Sequence, residues 1–189
     1  MNVTWEQRML GNFFVESKKY VNPKQSKNEL WSLTVEEGLT KKTGRYNRSF
    51  LVKKEDKFKQ VSHLNIVYNP MNITLGAIDL YTGEQNISVS GYYVVLRPLN
   101  EELVNYLSIW LKSQVANHLF KTFATGSLLE KQRVQYPTFS EIPIKIPEKQ
   151  EANKIGFIIQ RLAENITLNQ YNQKSQSLTL NFSQENILN

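Results

Sequence analysis

The chain of 189 residues carries 23 basic against 17 acidic side chains, a formal net charge of +6, and no cysteine. That length accommodates one domain with a full core plus an appendage, and the lack of cysteine excludes both a disulfide framework and a thiolate metal site. The first residues lack an apolar signal core and no apolar run approaches the length of a membrane span, so a soluble, cytoplasmic protein with no membrane partner is expected.

In chain order, Trp5 and Leu10 anchor a short opening segment that Gly11 breaks, and Phe13, Phe14 and Val15 read as a buried strand. Ser17 to Asn28 is polar, contains Pro23, and reads as a loop. Leu30, Leu33 and Val35 alternate as in a strand, which Glu36-Glu37-Gly38 ends in a turn. Phe58 to Val61 and Leu64 to Tyr68 form two further strands leading into the turn signal Asn69-Pro70. Ile73–Tyr81 and Asn86–Ser90, joined by Thr82-Gly83-Glu84-Gln85, are predicted to form a hairpin, with Gly76 and Gly91 marking bulges or close backbone approach. The continuous apolar run Tyr92–Leu96 predicts a central strand covered on both faces.

Asn100 followed by Glu101 and Glu102 is an N-cap with acidic first-turn residues, and Leu103, Leu107, Trp110 or Leu111, Val115 and Leu119 then predict one amphipathic helix to about Phe123. Gly126-Ser127 reads as a hinge and Leu128–Phe139 as a polar segment. Ile142, Ile144 and Ile146 alternate with Pro143 and Lys145 as in an edge strand, which Pro147 closes. Glu148 and Glu151 place negative charge where a helix begins. Along that helix Ile155, Ile159, Leu162 and Ile166 repeat at four-three-four spacing, a narrow seam for a partner helix. A helix of roughly 28 residues would reach about 40 Å, and residues 177–189 are expected to fray. The fold class is therefore α+β: a mixed body over 1–146, then a spacer or dimerisation helix over 147–189.

The charge is concentrated. Between Lys41 and Gln60, eight cations (Lys41, Lys42, Arg45, Arg48, Lys53, Lys54, Lys57 and Lys59) stand against Glu55 and Asp56, so the rest of the chain sums to zero. A solvated loop is the simple explanation of such a cluster; a polyanion contact surface is the sharper one. Gly44, Tyr46 and Asn47 inside it add a permissive turn, a stacking ring and an amide that can read base edges.

Catalytic motifs are missing. Asn69-Pro70-Met71-Asn72 is half of the tetrapeptide an amino-methyltransferase uses, and no glycine-rich cofactor loop accompanies it. The two aspartates, Asp56 and Asp79, leave Glu55 without the preceding acid that an Asp…Glu-x-Lys nuclease needs. His63 and His118 stand apart from each other and from any acid motif. No catalytic residue and no metal ligand is assigned.

Several segments together resemble the DNA-specificity (S) subunit of type I restriction–modification systems. They are Trp5-Glu-Gln-Arg-Met-Leu-Gly11, Val67-Tyr-Asn-Pro-Met71 with Gly76, Ser88-Val-Ser-Gly-Tyr92, Gly126-Ser127, and the Ile-Pro-x-x-x-Pro junction at 142–151 with Lys154-Ile155 and Leu162. The resemblance spans residues 5 to about 170. It implies a target recognition domain that reads double-stranded DNA, then a spacer helix of coiled-coil type. That helix docks methyltransferase (M) subunits and, through them, restriction (R) subunits. The chain itself is then non-catalytic and without cofactors; S-adenosylmethionine, ATP and Mg belong to the partners. Full-length members usually hold two recognition domains and two helices. One of each here implies a half-subunit, a truncated product or a fragment, and a homodimer through the helix. The expected DNA-contacting residues are Lys41, Lys42, Arg45, Tyr46, Asn47, Arg48, Lys53 and Lys54, assisted by Lys18, Lys19, Lys131 and Arg133. Ile155, Ile159, Leu162 and Ile166 are the expected partner-helix contacts. A general nucleic-acid or RNA-binding module, and a coiled-coil adaptor whose basic face only aids solubility, are the alternatives.

Overall fold

The computed structural model describes residues 5–42, 57–126 and 132–185, with side chains at all of these except 23–24 and 176–185. Strand β1 (Glu6–Met9) pairs antiparallel with β11 (Pro143–Ile146), so the start of the chain is closed by the last strand before the long helix. β2 (Phe14–Glu16), β10 (Val94–Pro98), β7 (Ile66–Tyr68) and β8 (Ile78–Leu80) form a four-stranded antiparallel sheet in that order. β3 (Tyr20–Val21), β6 (Phe58–Val61), β9 (Ile87–Ser90), β4 (Glu29–Thr34) and β5 (Gly38–Lys41) form a second sheet in that order, with β9 and β4 parallel. The helices are α1 (Pro23–Ser26), α2 (Val104–Leu111), α3 (Gln114–Phe123), α4 (Tyr136–Ser140) and α5 (Lys149–Glu185).

The two-residue period of a strand explains how these parts stack. In the four-stranded sheet, Ile66, Tyr68, Val94 and Leu96 turn to one face, where they pack with Phe14, Leu107, Phe120, Phe139 and Ile144 in a core shared with the helices. Val67 and Val95 turn to the other face and meet Leu33, Leu39, Val61, Ile87 and Val89 of the second sheet. The molecule is thus layered sheet, sheet, helices, and Val94–Leu96 of β10 are covered on both faces as expected. The strand starts at Val94, however, and Tyr92, at the head of the predicted run, lies on the preceding turn and is exposed. Phe139 is the aromatic hub of the larger core, with its ring 5.2 Å from Tyr68, 6.2 Å from Phe120 and 6.3 Å from Phe14.

Several expectations need correction. Ile73–Tyr81 and Asn86–Ser90 do not form a hairpin: β8 pairs with β7 in one sheet, β9 with β6 and β4 in the other, and Ile73–Leu75 is a 3-10 turn. The chain crosses between sheets at 81–87, where the Tyr81 hydroxyl donates to the Gln85 carbonyl. Gly76 ends the 3-10 turn at φ +100°, a left-handed conformation, and is no strand bulge. Gly91 fits its expectation of close approach, since a Cβ there would overlap the carbonyl of Lys57.

The single helix to Phe123 is in fact two. The chain turns at Lys112, and Ser113 caps α3 by accepting from the Ala116 N–H; Val115, assigned to the buried stripe, is exposed. Trp5 is 46% exposed and lies outside the buried core, whereas Leu10 is fully buried and donates its N–H to the Ile142 carbonyl. Ser17–Asn28 holds a short strand and a helical turn rather than a loop alone. The supposedly polar segment before β11 contains buried Val134 and Phe139, and its Tyr136 hydroxyl donates to the Phe14 carbonyl at 3.0 Å. The long helix begins at Lys149, as its charge pattern and Pro147 suggest, and runs to Glu185.

Candidate nucleic-acid interface

The five-stranded sheet positions the basic side chains that the structure describes. At one edge, Lys41 is the last residue of β5; its ammonium pairs with Glu29 on β4, and the Lys42 N–H donates to the Leu30 carbonyl. That ammonium, donating to the Glu29 carboxylate, holds the carboxyl below its ordinary value, so Glu29 stays ionised and offsets part of the positive charge. Lys42 is exposed.

At the opposite edge, β3 pairs with β6, placing Tyr20 beside Lys59, and the Lys19 carbonyl accepts from the Gln60 N–H. Lys18 and Lys19 are exposed, and Lys18 lies 3.7 Å from Glu16. The two edges are four strand spacings apart, about 19 Å. Arg133 is exposed too, but is held elsewhere: its backbone pairs with Thr125, and Val134 donates to the Pro70 carbonyl. Arg45, Tyr46, Asn47, Arg48, Lys53, Lys54 and Lys131 lie outside the described residues.

Lys59 departs from its neighbours in the basic segment. It is 4% exposed, and its ammonium lies 2.8 Å from the Tyr93 carbonyl and 3.3 Å from Glu16. It ties β6 of one sheet to β2 of the other, so it is a structural ion-pair partner and is not available to a polyanion. The clue was in the sequence: Phe58 to Val61 alternates, and Lys59 falls on the same face as Val61, which is buried between the sheets.

Among the described residues, the helix α5 meets the body through its first turns. Lys149 pairs with Glu102 at 2.7 Å, Ala152 is fully buried, and Ile155 packs partly buried against the core. Gly156 is the crossing point with α2, because a Cβ there would stand 2.8 Å from the Tyr106 backbone nitrogen. Ile155 therefore contacts the body, while Ile159, Leu162 and Ile166 continue its face into solvent at 39%, 55% and 57% exposure. A second exposed set, Phe157, Leu168 and Tyr171, falls on nearly the opposite face at about 100° per residue. Sequence reading found the first stripe and missed the second, whose members are spaced by eleven and three. Among the described residues no three His, Cys, Asp or Glu side chains converge as a metal site, and no helix is long and apolar enough to cross a membrane.

No protein-family model matches the chain, and comparison with curated proteins gives no match. Solved structures do match. The type I restriction–modification S subunit from M. genitalium aligns with 86% of this chain at 17% identity and a TM-score of 0.57, over 40% of its own length. The HsdS subunit from Thermoanaerobacter tengcongensis aligns with 86% at 16% identity and a TM-score of 0.59, over 43% of its length. A chain from a structure of type I R-M system assembly and conformational transition aligns with 94% at 14% identity and a TM-score of 0.58, over 48% of its length. The chain thus spans less than half the length of each of these three solved chains. In fold it is a mixed α/β recognition-type body followed by a long helix, the fold of a type I restriction–modification S subunit.

Proposed function

We propose that the chain is the sequence reader of a type I restriction–modification assembly. It binds duplex DNA specifically and brings methyltransferase subunits, and through them restriction subunits, to the bound site. The observation that carries this reading is the fold match to S subunits over body and helix together, at 86% of the chain. Two features of the molecule support it. Exposed lysines lie on both edges of the five-stranded sheet, about 19 Å apart, wide enough to meet phosphates on either side of a major groove about 12 Å across. From Phe157 on, α5 offers two apolar faces, enough for two neighbours: the helix of a second copy and a methyltransferase subunit.

In this reading Lys41, Lys42 and the 43–54 cations grip phosphates, and Arg45, Tyr46, Asn47 and Arg48 read base edges. The chain performs no chemistry; S-adenosylmethionine, ATP and Mg act in the partner subunits, and the complex works in the cytoplasm. The test is to co-express the chain with its methyltransferase subunit and map methylated bases in host DNA. Methylation at one bipartite motif, lost on deleting residues 148–176, is the expected result. A stable complex that methylates no motif, or no complex at all, would overturn the reading.

A further inference from the structure

The β3–β6 edge carries more than lysines. Tyr20, 53% exposed, has the Lys57 and Lys59 ammonium groups 6.0 and 5.8 Å from its ring centre, within cation–π range. Gly91 donates its N–H to the Lys57 carbonyl at 2.9 Å, and its missing side chain lets the two backbones meet. The next residue, Tyr92, is 90% exposed, the most exposed large hydrophobic side chain among the described residues. It stands on a fixed turn: its own N–H reaches the Ser90 hydroxyl, and the Tyr93 N–H donates to the Ser90 carbonyl. β9 and β10 on either side are buried strands.

We infer that Tyr92, with Lys18, Lys19, Lys57 and the ring of Tyr20, forms a duplex-DNA contact separate from the 43–56 segment. An exposed ring on a rigid turn leaves water at a small ordering cost when it binds, since its backbone is already fixed. Lys57 adjoins this turn through the Gly91–Lys57 hydrogen bond, and exposed Lys18 and Lys19 lead into β3 on the same edge. The carboxylate of Glu16 is already paired with Lys59, so the exposed described charge favours a polyanion. The lysines meet phosphates, and the Tyr92 ring packs against sugar and base edges in the adjoining groove. This deepens the reading above and rests on it: the body must bind DNA for the patch to matter.

The full chain serves for the test, with affinity for duplex DNA followed by fluorescence anisotropy across a salt series. Tyr92 touches little, so Tyr92→Ala retains the fold by circular dichroism. Tyr92→Ala should weaken binding by about tenfold with an unchanged salt slope, and Tyr92→Phe should bind as the wild type does. The triple variant Lys18→Ala/Lys19→Ala/Lys57→Ala should lower the slope of log affinity against log salt by about 2 to 3. Wild-type affinity and slope in both alanine variants would overturn the patch and leave the DNA reading standing; so would a Tyr92→Phe as weak as Tyr92→Ala. A wild-type chain that binds no duplex even at low salt would overturn the DNA reading, and the patch with it.

Discussion

Lys59 and Lys57 are two residues apart and have opposite fates. Lys57 is exposed beside Tyr20, whereas Lys59 is enclosed between two sheets with Glu16 and the Tyr93 carbonyl for company. Removing one member of a buried pair leaves the other charge without compensation, which costs far more than the pair itself contributes. Lys59→Met should therefore lower unfolding free energy by about 3 kcal/mol in urea melts. Adding Glu16→Leu should restore most of that loss, and the double-mutant cycle reads the coupling directly. A neutral Lys59→Met would mean that the ammonium is solvated and free to meet DNA. Glu29 and Lys41, both exposed, contribute little to stability; their pairing matters for the local potential instead.

Among the elements, α5 is joined to the body by buried Ala152 and partly buried Ile155, by a close crossing at Gly156 and by a surface ion pair. At Gly156 the backbones of α5 and α2 approach so closely that a side chain must push them apart. Gly156→Val should lower stability by about 1–3 kcal/mol, and amide exchange should quicken in both helices; an unchanged melting temperature would show that α5 rides clear of α2. The ion pair is Lys149–Glu102. The Lys149 ammonium, donating to Glu102, holds that carboxyl below its ordinary value. Because the folded value is depressed, the stabilising contribution is present above the carboxylate's unfolded pKa. It is lost as pH falls through the lower folded value. The pair is exposed, so its effect is local. Lys149→Ala should move the Glu102 titration, followed by carboxyl NMR, up toward the ordinary carboxylate range; an unmoved midpoint would remove Lys149 as the cause.

For the whole molecule, the proposed pairing of two copies rests on the exposed stripe of α5. The helix continues for 29 residues after Gly156, roughly 43 Å. Over the part whose side chains are described, Ile159, Leu162 and Ile166 remain exposed. A second copy paired along this stripe by a two-fold axis would present two identical bodies to DNA, so the methylated site should be an interrupted palindrome. Leu162→Asp should shift sedimentation from dimer to monomer and abolish methylation at the two-part site, leaving the isolated body folded. An asymmetric site, or a Leu162→Asp chain that still dimerises, would exclude this pairing.

Features encoded within a few neighbouring residues were determined by the sequence itself. Ile142, Ile144 and Ile146 lie inside as their alternation requires, Val94–Leu96 is buried on both faces, and α5 starts just after Pro147. The concentration of charge after Lys41 and the stripe through Ile159, Leu162 and Ile166 are equally plain in the sequence. Tertiary structure alone decided which strands pair. β8 and β9, close in sequence and predicted as a hairpin, separate into two sheets: β8 pairs back onto the preceding strand β7, while β9 is taken up between β6 and the distant β4. The same distant packing buries Lys59 and presents Tyr92 on a fixed turn. It also makes Gly156 a crossing point. Periodicity records which face of an element is apolar, and only the assembled layers determine what that face meets.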